Sequence, residues 1–269
     1  MKQRIITGAC FILVAIAVIC FSDVEWVFRP FILLITVGGL FELQRLKKST
    51  ALKVGFAVFS ALAVVLNVVS VPFYHWVLLP IYAVAILAFT VVIILMERKH
   101  SFTLPTVSVL LCMPMTVLFY QSIVELRYQD EKYGLIYLIF SVLIPIANDS
   151  LAYFTGRFFG KHKLAPITSP KKTVEGAIGG TLSALVIAVV IGLFYQKVDL
   201  LALCVVVLAA SVIGQIGDLS MSCLKRIVGV KDYGNLFPGH GGFLDRFDSH
   251  MFVWPTVYLL YQFGVSFIG

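Results

Sequence analysis

Residues 222–248 read SCLKRIVGVKDYGNLFPGHGGFLDRFD and lie between two apolar runs of membrane-spanning length. The stretch combines carboxylates, which suit a divalent cation, with lysines and arginines, which suit phosphate groups. Its glycines allow the backbone to approach a ligand closely. Because the apolar runs on both sides are long enough to enter a bilayer, the polar stretch is held at the membrane surface. It therefore predicts a helical membrane protein with a site for a phosphorylated ligand between two of its helices.

The composition supports a membrane protein. Of the 269 residues, 60% are hydrophobic and 13% are charged, and the mean hydropathy is +0.98. A soluble domain of this length needs a far more polar surface. The formal net charge of +7 does not indicate nucleic acid binding, because the basic residues are dispersed between apolar spans. The five cysteines show no paired spacing, which argues against a disulfide framework or a zinc site.

Hydropathy predicts an all-α, polytopic membrane protein with about nine transmembrane helices. The predicted spans are residues 5–22, 27–44, 51–70, 76–96, 103–121, 133–149, 176–195, 200–217 and 249–267. Asn148 and Asp149 are expected to end the sixth span early. The first run is interpreted as a retained span rather than a signal peptide, because it is long and no clear cleavage site follows it.

The lysines and arginines predict the orientation of these spans. All but four of the 21 lie in segments on one side, and the exceptions are Arg29, Arg127, Lys132 and Lys197. This asymmetry places the N-terminus and the polar segments 149–175 and 218–248 in the cytoplasm, and the C-terminus outside. No internal repeat divides the chain. We therefore expect one membrane-embedded domain over residues 1–269, with N-terminal helices in 1–132 and catalytic helices in 133–269.

A polar stripe follows the predicted eighth span. Ser211, Gln215, Asp218, Ser222 and Lys225 recur at steps of 4, 3, 4 and 3, which places them on one helical face. Such a stripe is costly against lipid, so it should line a cavity or face other helices. Hydrogen bonding between helices would explain Ser211 and Gln215. The carboxylate of Asp218 instead indicates a functional site.

Two further carboxylates, Asp245 and Asp248, are three residues apart and can project from one face where the ninth helix begins. Together with Asp218 they form a candidate site for one or two magnesium ions, which prefer oxygen ligands and often take few carboxylates plus nucleotide phosphates and water. The alternative is that acids near a helix N-terminus complement the helix dipole. That would explain one of the two acids, but not the histidine, glycines and arginine around them.

The second cytoplasmic segment contains a candidate anion site. Ser169 followed by Pro170 predicts the N-cap and first residue of a helix. The free amides of that helix, together with Lys171, Lys172 and Thr173, would bind phosphate. A positive-inside membrane anchor would explain the two lysines equally well.

The pattern S-x-L-K-R-x4-K-D-x-G-x2-F-P-x-H-G-G-F-x-D-R-F-D, from Ser222 to Asp248, resembles the signature of bacterial phosphatidate cytidylyltransferases, or CDP-diacylglycerol synthases. No charged or glycine position departs from it. Residues 149–153 and 169–176 look like a second block of the same family. The motifs therefore lie within residues 149–248, and the N-terminal half matches only as a set of spans.

The resemblance implies transfer of the cytidylyl group of CTP to phosphatidic acid, giving CDP-diacylglycerol and pyrophosphate. It also implies a multi-pass protein of the bacterial inner membrane with a cytoplasmic active site, a magnesium requirement, contact with membrane lipid and a homodimer, and no nucleic acid partner. The residues expected to act in catalysis are Asp218, Lys225, Arg226, Asp245, Arg246 and Asp248. The expected magnesium ligands among them are Asp218, Asp245 and Asp248. The residues expected to bind substrate are Asp149, Lys171, Lys172, Thr173, Ser222, Lys231, His240, Gly241 and Gly242.

Two other classes of function stay open at this point. A CTP-dependent kinase of polyprenols or other membrane alcohols would transfer the γ-phosphoryl group and release CDP. An ion-coupled transporter would also place charged residues within its spans. Against the transporter, the charges cluster on one side, and no paired broken helices or inverted repeat are visible in the sequence.

Overall fold

The computed structural model of the chain describes residues 13–14, 16–69, 74–98, 105–194, 198–237 and 241–268. In chain order from Glu25, its elements are α1 Glu25–Arg45, α2 Thr50–Val68, α3 Tyr74–Glu97, α4 Pro105–Tyr128, α5 Gly134–Phe159, β1 Lys163–Ala165, β2 Ser169–Thr173, α6 Val174–Leu193, α7 Leu200–Val228, α8 Leu244–Phe247 and α9 His250–Gln262.

Within the described residues, seven helices, α1 to α7, are long and apolar enough to cross a membrane. Their lengths, from 19 to 29 residues, match the thickness of a bilayer. The chain is therefore a multi-pass, mostly helical membrane protein, as predicted. Half of the predicted first span, 5–22, falls outside the described residues. The total of nine spans and the sides of the two termini stay predictions.

The short helix α9 lies inside the bundle and packs against α3, α4, α5 and α7. It has 13 residues, and residues 250–259 are all buried. At 1.5 Å per residue it is about 20 Å long, less than the roughly 30 Å of a bilayer core. The predicted span 249–267 is therefore too long. An apolar helix that other helices enclose has the same hydropathy as one that faces lipid.

Helices from both predicted halves of the chain contact α9. The hydroxyl of Tyr82, on α3, donates to the backbone carbonyl of Phe252 at 2.7 Å. Helix α4 is also largely buried and packs against α9, α2 and α1. The division at residue 132 stays a prediction. The packing around α9 fixes the turn over residues 241–249, which precedes that helix.

Helix α5 does not end at Asp149, as predicted, but continues to Phe159. Asn148 and Asp149 remain inside the helix because each finds a partner on another element. The amide Nε2 of Gln215 donates to Asn148 Oδ1 at 3.0 Å, and the hydroxyl of Ser249 donates to Asp149 Oδ2 at 2.9 Å. Polar side chains inside the bundle thus link helices instead of ending one.

Helix α7 also continues beyond its predicted end at residue 217. Asp199 caps its N-terminus, since the Asp199 carboxylate accepts from the amides of Leu201 and Ala202 at 2.9 and 3.1 Å. The helix ends at Val228, and Gly229 follows with φ of 82°, a left-handed conformation that favours glycine. The whole predicted polar stripe therefore lies on one continuous helix.

The prediction of a helix that begins at Ser169 is wrong. Residues 169–173 form β2, which pairs antiparallel with β1. Helix α6 begins after this strand, where the Thr173 hydroxyl accepts from the amide of Gly176 at 3.1 Å and caps the helix. The N-cap is thus a threonine four residues further along, and Lys171 and Lys172 lie on a strand instead of a first helical turn.

Candidate active site

The predicted polar stripe of α7 faces neighbouring helices and a cavity. Gln215 lies deepest of the bonded residues, and its Nε2 is 3.0 Å from Asn148 Oδ1 on α5. The same nitrogen is 3.1 Å from the carbonyl of Ala177 and 2.8 Å from the hydroxyl of Thr181, both on α6. Gln215 therefore links α7 to α5 and α6 by hydrogen bonds, which favours hydrogen bonding between helices as the role of this residue.

Asp218 lies one turn further along α7 and forms an ion pair with Lys172 of β2. The Ser222 hydroxyl is 3.4 Å from Asp218 Oδ1. Burial lowers the pKa of Lys172, but Asp218, Asp149 and Asp248 more than offset this and raise it overall. Lys172 is thus a protonated ammonium group at neutral pH, and several carboxylates share it.

Asp149 and Asp248 meet at Ser249. The Ser249 hydroxyl is 2.9 Å from Asp149 Oδ2 and 3.4 Å from Asp248 Oδ1, and the Ser249 amide donates to Asp248 Oδ1 at 2.9 Å. Burial raises the pKa of Asp248 to about 8; the charges of Asp218 and Asp149 add to the increase, and Lys225 opposes it. The acidic side chains Asp149, Asp218 and Asp248 are therefore close enough to repel one another when ionised, and burial adds to the cost of the charge on Asp248.

Asp245 holds the turn before α9 together. Its Oδ1 accepts from Lys225 Nζ at 2.9 Å, and its Oδ2 accepts from the amides of Tyr233 and Gly242 at 2.7 and 3.0 Å. Lys225 Nζ also lies 5.1 Å from the centroid of the Tyr233 ring. Lys225 thus contacts a carboxylate and an aromatic ring within the protein, and both oxygens of Asp245 accept from protein donors.

A polar cavity of about 440 Å³ opens between α5, α6, α7, the hairpin and the turn. Its charged lining residues are Asp149, Arg157, Lys171, Lys172, Asp218, Asp245, Arg246 and Asp248. Among the residues that the structure describes, the side chains of Lys171 and Arg246 form no hydrogen bond or ion pair, and the side chain of Arg157 bonds only to the hydroxyl of Tyr153, at 3.3 Å. Three cations are therefore available to a ligand in a cavity of the size that small molecules occupy.

Comparison with known proteins identifies the family of this chain. The model of the cytidylyltransferase family matches residues 2–264. The chain belongs to the cytidylyltransferase family. A phosphatidate cytidylyltransferase of Bacillus subtilis is 37% identical over 284 residues, which cover 97% of this chain and 97% of that protein. Phosphatidate cytidylyltransferases of Staphylococcus saprophyticus and Staphylococcus aureus are 46% and 45% identical over 134 residues, which cover 49% of this chain and 52% of each relative.

Several residues predicted for this cytidylyltransferase site lie elsewhere in the structure. Of the predicted site residues that the structure describes, six do not line the cavity: Ser222, Lys225, Arg226, Lys231, Gly241 and Gly242. Arg226 is exposed, and its Nε lies 3.3 Å from the carbonyl of Thr168, so it ties α7 to the hairpin. Lys231 is exposed. Gly241 has φ of 82°, which favours glycine there for the shape of the turn. His240 lies outside the described residues.

Sequence analysis missed two residues. Arg157 lies in the last turn of α5, beyond the end that the sequence predicts for that helix, so the predicted helix does not connect it with Asp149. Glu42 is a buried carboxylate near the end of α1, and its oxygens accept from the amides of Phe243 and Leu244. The one available signal for Glu42 was the cost of a carboxylate at the end of a membrane span.

Proposed function

We propose that this enzyme transfers the cytidylyl group of CTP to phosphatidic acid, giving CDP-diacylglycerol and pyrophosphate. Similarity to the Bacillus subtilis phosphatidate cytidylyltransferase over almost the full length of both chains supports this reaction. The observation that carries the proposal is the polar cavity, which is lined by both unpaired cations and a carboxylate cluster and is bounded in part by helices long enough to span a membrane.

The cations of the cavity fit two phosphorylated substrates. CTP brings a triphosphate and phosphatidic acid a phosphate monoester. Arginine forms two parallel hydrogen bonds with phosphate, and lysine binds it as a point charge. The side chains of Arg157, Lys171 and Arg246 line the cavity without ion-pair partners among the described residues, so they can bind these groups. Lys172 lines the same cavity and is paired with Asp218, so it can neutralise charge as pyrophosphate leaves.

The chemistry is an in-line displacement at the α-phosphorus of CTP. An oxygen of the lipid phosphate forms a new bond to that phosphorus, and the bond between the α-phosphorus and the oxygen bridging to the β-phosphorus breaks. Pyrophosphate takes the electron pair of the broken bond. A phosphate monoester is largely dianionic at neutral pH, since its second pKa is about 6, so the attack needs no strong general base. The protein contributes position and charge neutralisation.

The carboxylate cluster fits magnesium. Magnesium often takes only one or two carboxylates and completes its shell with water and phosphates. The proposed site therefore does not require three protein ligands, and no group of three acidic, histidine or cysteine side chains that could hold a metal ion is found within the described residues. Asp218 and Asp248 would hold the ion, with Asp149 beside them. Asp245 is less suited, because its two oxygens already bind Lys225 and two amides. When bound, magnesium would neutralise the phosphates of CTP.

The location of the enzyme follows from the same proposal. The distribution of lysines and arginines supports a cavity that opens to the cytoplasm, where CTP is present. Similarity to a bacterial phosphatidate cytidylyltransferase supports a location in the bacterial inner membrane. Labelling a cysteine introduced at exposed Lys161 in sealed right-side-out and inverted vesicles would decide the side. A homodimer, which the resemblance implies, is tested by light scattering of the purified protein in detergent.

A product assay tests the reaction. Purified protein in detergent is given phosphatidic acid, magnesium and CTP labelled at the α- or the γ-phosphate. The proposal predicts that the α-label enters the lipid phase and that the γ-label appears in pyrophosphate. A γ-label in the lipid phase with the α-label in CDP would instead identify a lipid kinase, and absence of CTP turnover would contradict both enzymes.

A further inference from the structure

We infer that Glu42, on helix α1, is a positioning residue that holds the turn over residues 241–249 in place. Glu42 lies outside the signature sequence, and its contact with the turn is called the clamp below. The inference rests on the proposed cytidylyl transfer for its kinetic consequence, but not for its structural one. Glu42 Oε1 accepts from the amide of Phe243 at 2.8 Å, and Oε2 accepts from the amide of Leu244 at 2.9 Å. The contact spans about 200 residues of chain, and the Glu42 residue is only 6% exposed.

The clamp replaces a missing helix cap. Leu244 begins the short helix α8, and Phe243 at its N-cap provides no side-chain hydrogen bond. The first amides of any helix lack partners within the helix, and their partial positive charge favours a carboxylate. An aspartate or serine at the N-cap usually fills this role. Here a glutamate from a distant helix fills it with both of its oxygens.

The glycines of the two contacting segments make room for this clamp. A Cβ at Gly242 would overlap the Glu42 carboxylate, and a Cβ at Gly234 would lie 2.6 Å from Glu42 Oε1. On α1, a Cβ at Gly38 would lie 2.6 Å from the ring of Phe243. Gly38 and Glu42 are four residues apart and share one face of α1. Gly242, which the sequence predicted as a substrate ligand, is thus explained by its contact with Glu42.

The amides that Glu42 holds come just before two cavity residues in the chain. Asp245 accepts from the amide of Gly242, and Glu42 accepts from the next two amides, so three consecutive N–H groups are held by two carboxylates. The turn continues directly into Arg246 and Asp248, which line the polar cavity. Glu42 itself does not line that cavity. Its effect on the reaction must therefore pass through the position of those two residues.

Variants of Glu42 test the clamp in the full-length protein in detergent. Glu42→Gln places an NH₂ group against one of the two amides and leaves one good acceptor. Glu42→Ala removes both acceptors. Glu25→Gln, at the exposed start of the same helix, is the matched control. A displacement of about 1 Å at a catalytic group can cost about 100-fold in rate, so we expect kcat to fall about 10-fold in Glu42→Gln and about 100-fold in Glu42→Ala. KM for CTP should rise by a smaller factor than kcat falls, because Lys171 and Arg157 remain in place while Arg246 and Asp248 shift.

Hydrogen exchange separates positioning from general structural support. We expect faster exchange of the amides of Phe243 and Leu244 in both Glu42 variants, with unchanged exchange in α5 and α6. If kcat stays at the wild-type value, or if exchange rises equally throughout the chain, the inference is wrong. If the wild-type enzyme shows no cytidylyl transfer, the proposed function fails, and the exchange measurement still decides the clamp.

A second pair of variants covers the case in which Glu42→Ala does not fold. Gly242→Ala pushes a Cβ against the Glu42 carboxylate and should lower kcat by a similar factor. The double variant combines Gly242→Ala with Glu42→Ala, or with Glu42→Ser if only that variant folds. Because the shorter side chain at residue 42 leaves space for the added methyl group, the loss of kcat in the double variant should be far smaller than the two single losses combined. Fully additive losses would show that Gly242 does not act through Glu42 and would contradict the inference.

Discussion

Lys225 and Asp245 form an ion pair of 2.9 Å that ties the end of α7 to the turn over residues 241–249, with side chains that are 10% and 3% exposed. The pair is 20 residues apart in sequence and joins the last turn of α7 to the segment before α9. Asp245 also binds two backbone amides, so it is fully engaged with protein groups. The pair is therefore part of the scaffold that carries Arg246 and Asp248.

Loss of one partner of this pair should destabilise the protein. Removing one charge of a buried pair leaves the other uncompensated, which typically costs about 3 kcal/mol or more. We expect Asp245→Asn to lower the free energy of unfolding by about 3 kcal/mol, measured by denaturation in mixed micelles. Lys225→Met in the same background should recover part of the loss. Full stability of Asp245→Asn with abolished turnover would instead favour direct metal binding by Asp245.

The adjacent lysines Lys171 and Lys172 should differ in their effect on turnover. Lys172 is half-buried and paired with Asp218, whereas Lys171 is exposed and unpaired among the described residues. We expect Lys172→Met to lower kcat/KM for CTP by about 100-fold, a loss typical of a group that neutralises transition-state charge. Lys171→Met should mainly raise KM for CTP. Equally small effects in both variants, without a change in CTP dependence, would favour a membrane anchor.

Binding of magnesium should release a proton from Asp248. Its pKa is raised to about 8, so the carboxyl is mostly protonated at pH 7 until a cation displaces the proton. Magnesium should therefore bind more tightly as pH rises, by up to about tenfold per pH unit below pH 8, and level off above it. Calorimetry at pH 6.5, 7.5 and 8.5 measures this. Asp248→Asn should remove the dependence, and equal affinities in the wild type would contradict it.

Two arginines near the cavity should behave differently. Arg157 lines the polar cavity, and Arg226 lies outside it against the hairpin backbone. We expect Arg157→Gln to raise KM for CTP or phosphatidic acid at least tenfold, which corresponds to a loss of about 1.4 kcal/mol of binding free energy. Arg226→Gln should leave both KM values within about threefold of the wild type. Steady-state kinetics of both variants checks this. A larger defect in Arg226→Gln would instead support the predicted catalytic role of Arg226.

Much of the architecture could be predicted from hydropathy, because a bilayer imposes helix lengths. Helices α1 to α7 were all found, and the motif residues led to the correct family. Hydropathy could not separate α9 from a span, since an enclosed helix and a lipid-facing helix are equally apolar. It also ended α5 too early, because Asn148 and Asp149 look like a helix end until their partners on α7 and at Ser249 are known.

The residues of the cavity were predicted in part. The spacing along α7 identified Asp218, and the signature identified Arg246 and Asp248. Sequence order could not show that Lys225 pairs with Asp245. Lysine is typical of phosphate sites and aspartate of metal sites, so the sequence favoured ligand binding over a pair between the two. The partner of Phe243 and Leu244 lies about 200 residues away, and no local spacing rule connects Glu42 with them. Long-range contacts of this kind are fixed by packing and not by periodicity.

The most direct measurement of the central claim compares wild-type and Asp218→Asn protein in transfer of the α-phosphate of labelled CTP to phosphatidic acid. Thermal unfolding is measured on the same preparations to show that both are folded. The predicted result is magnesium-dependent label in the lipid for the wild type, and a loss of at least about 100-fold in the variant. Near-normal transfer by Asp218→Asn at saturating magnesium would contradict the placement of the reaction in the polar cavity.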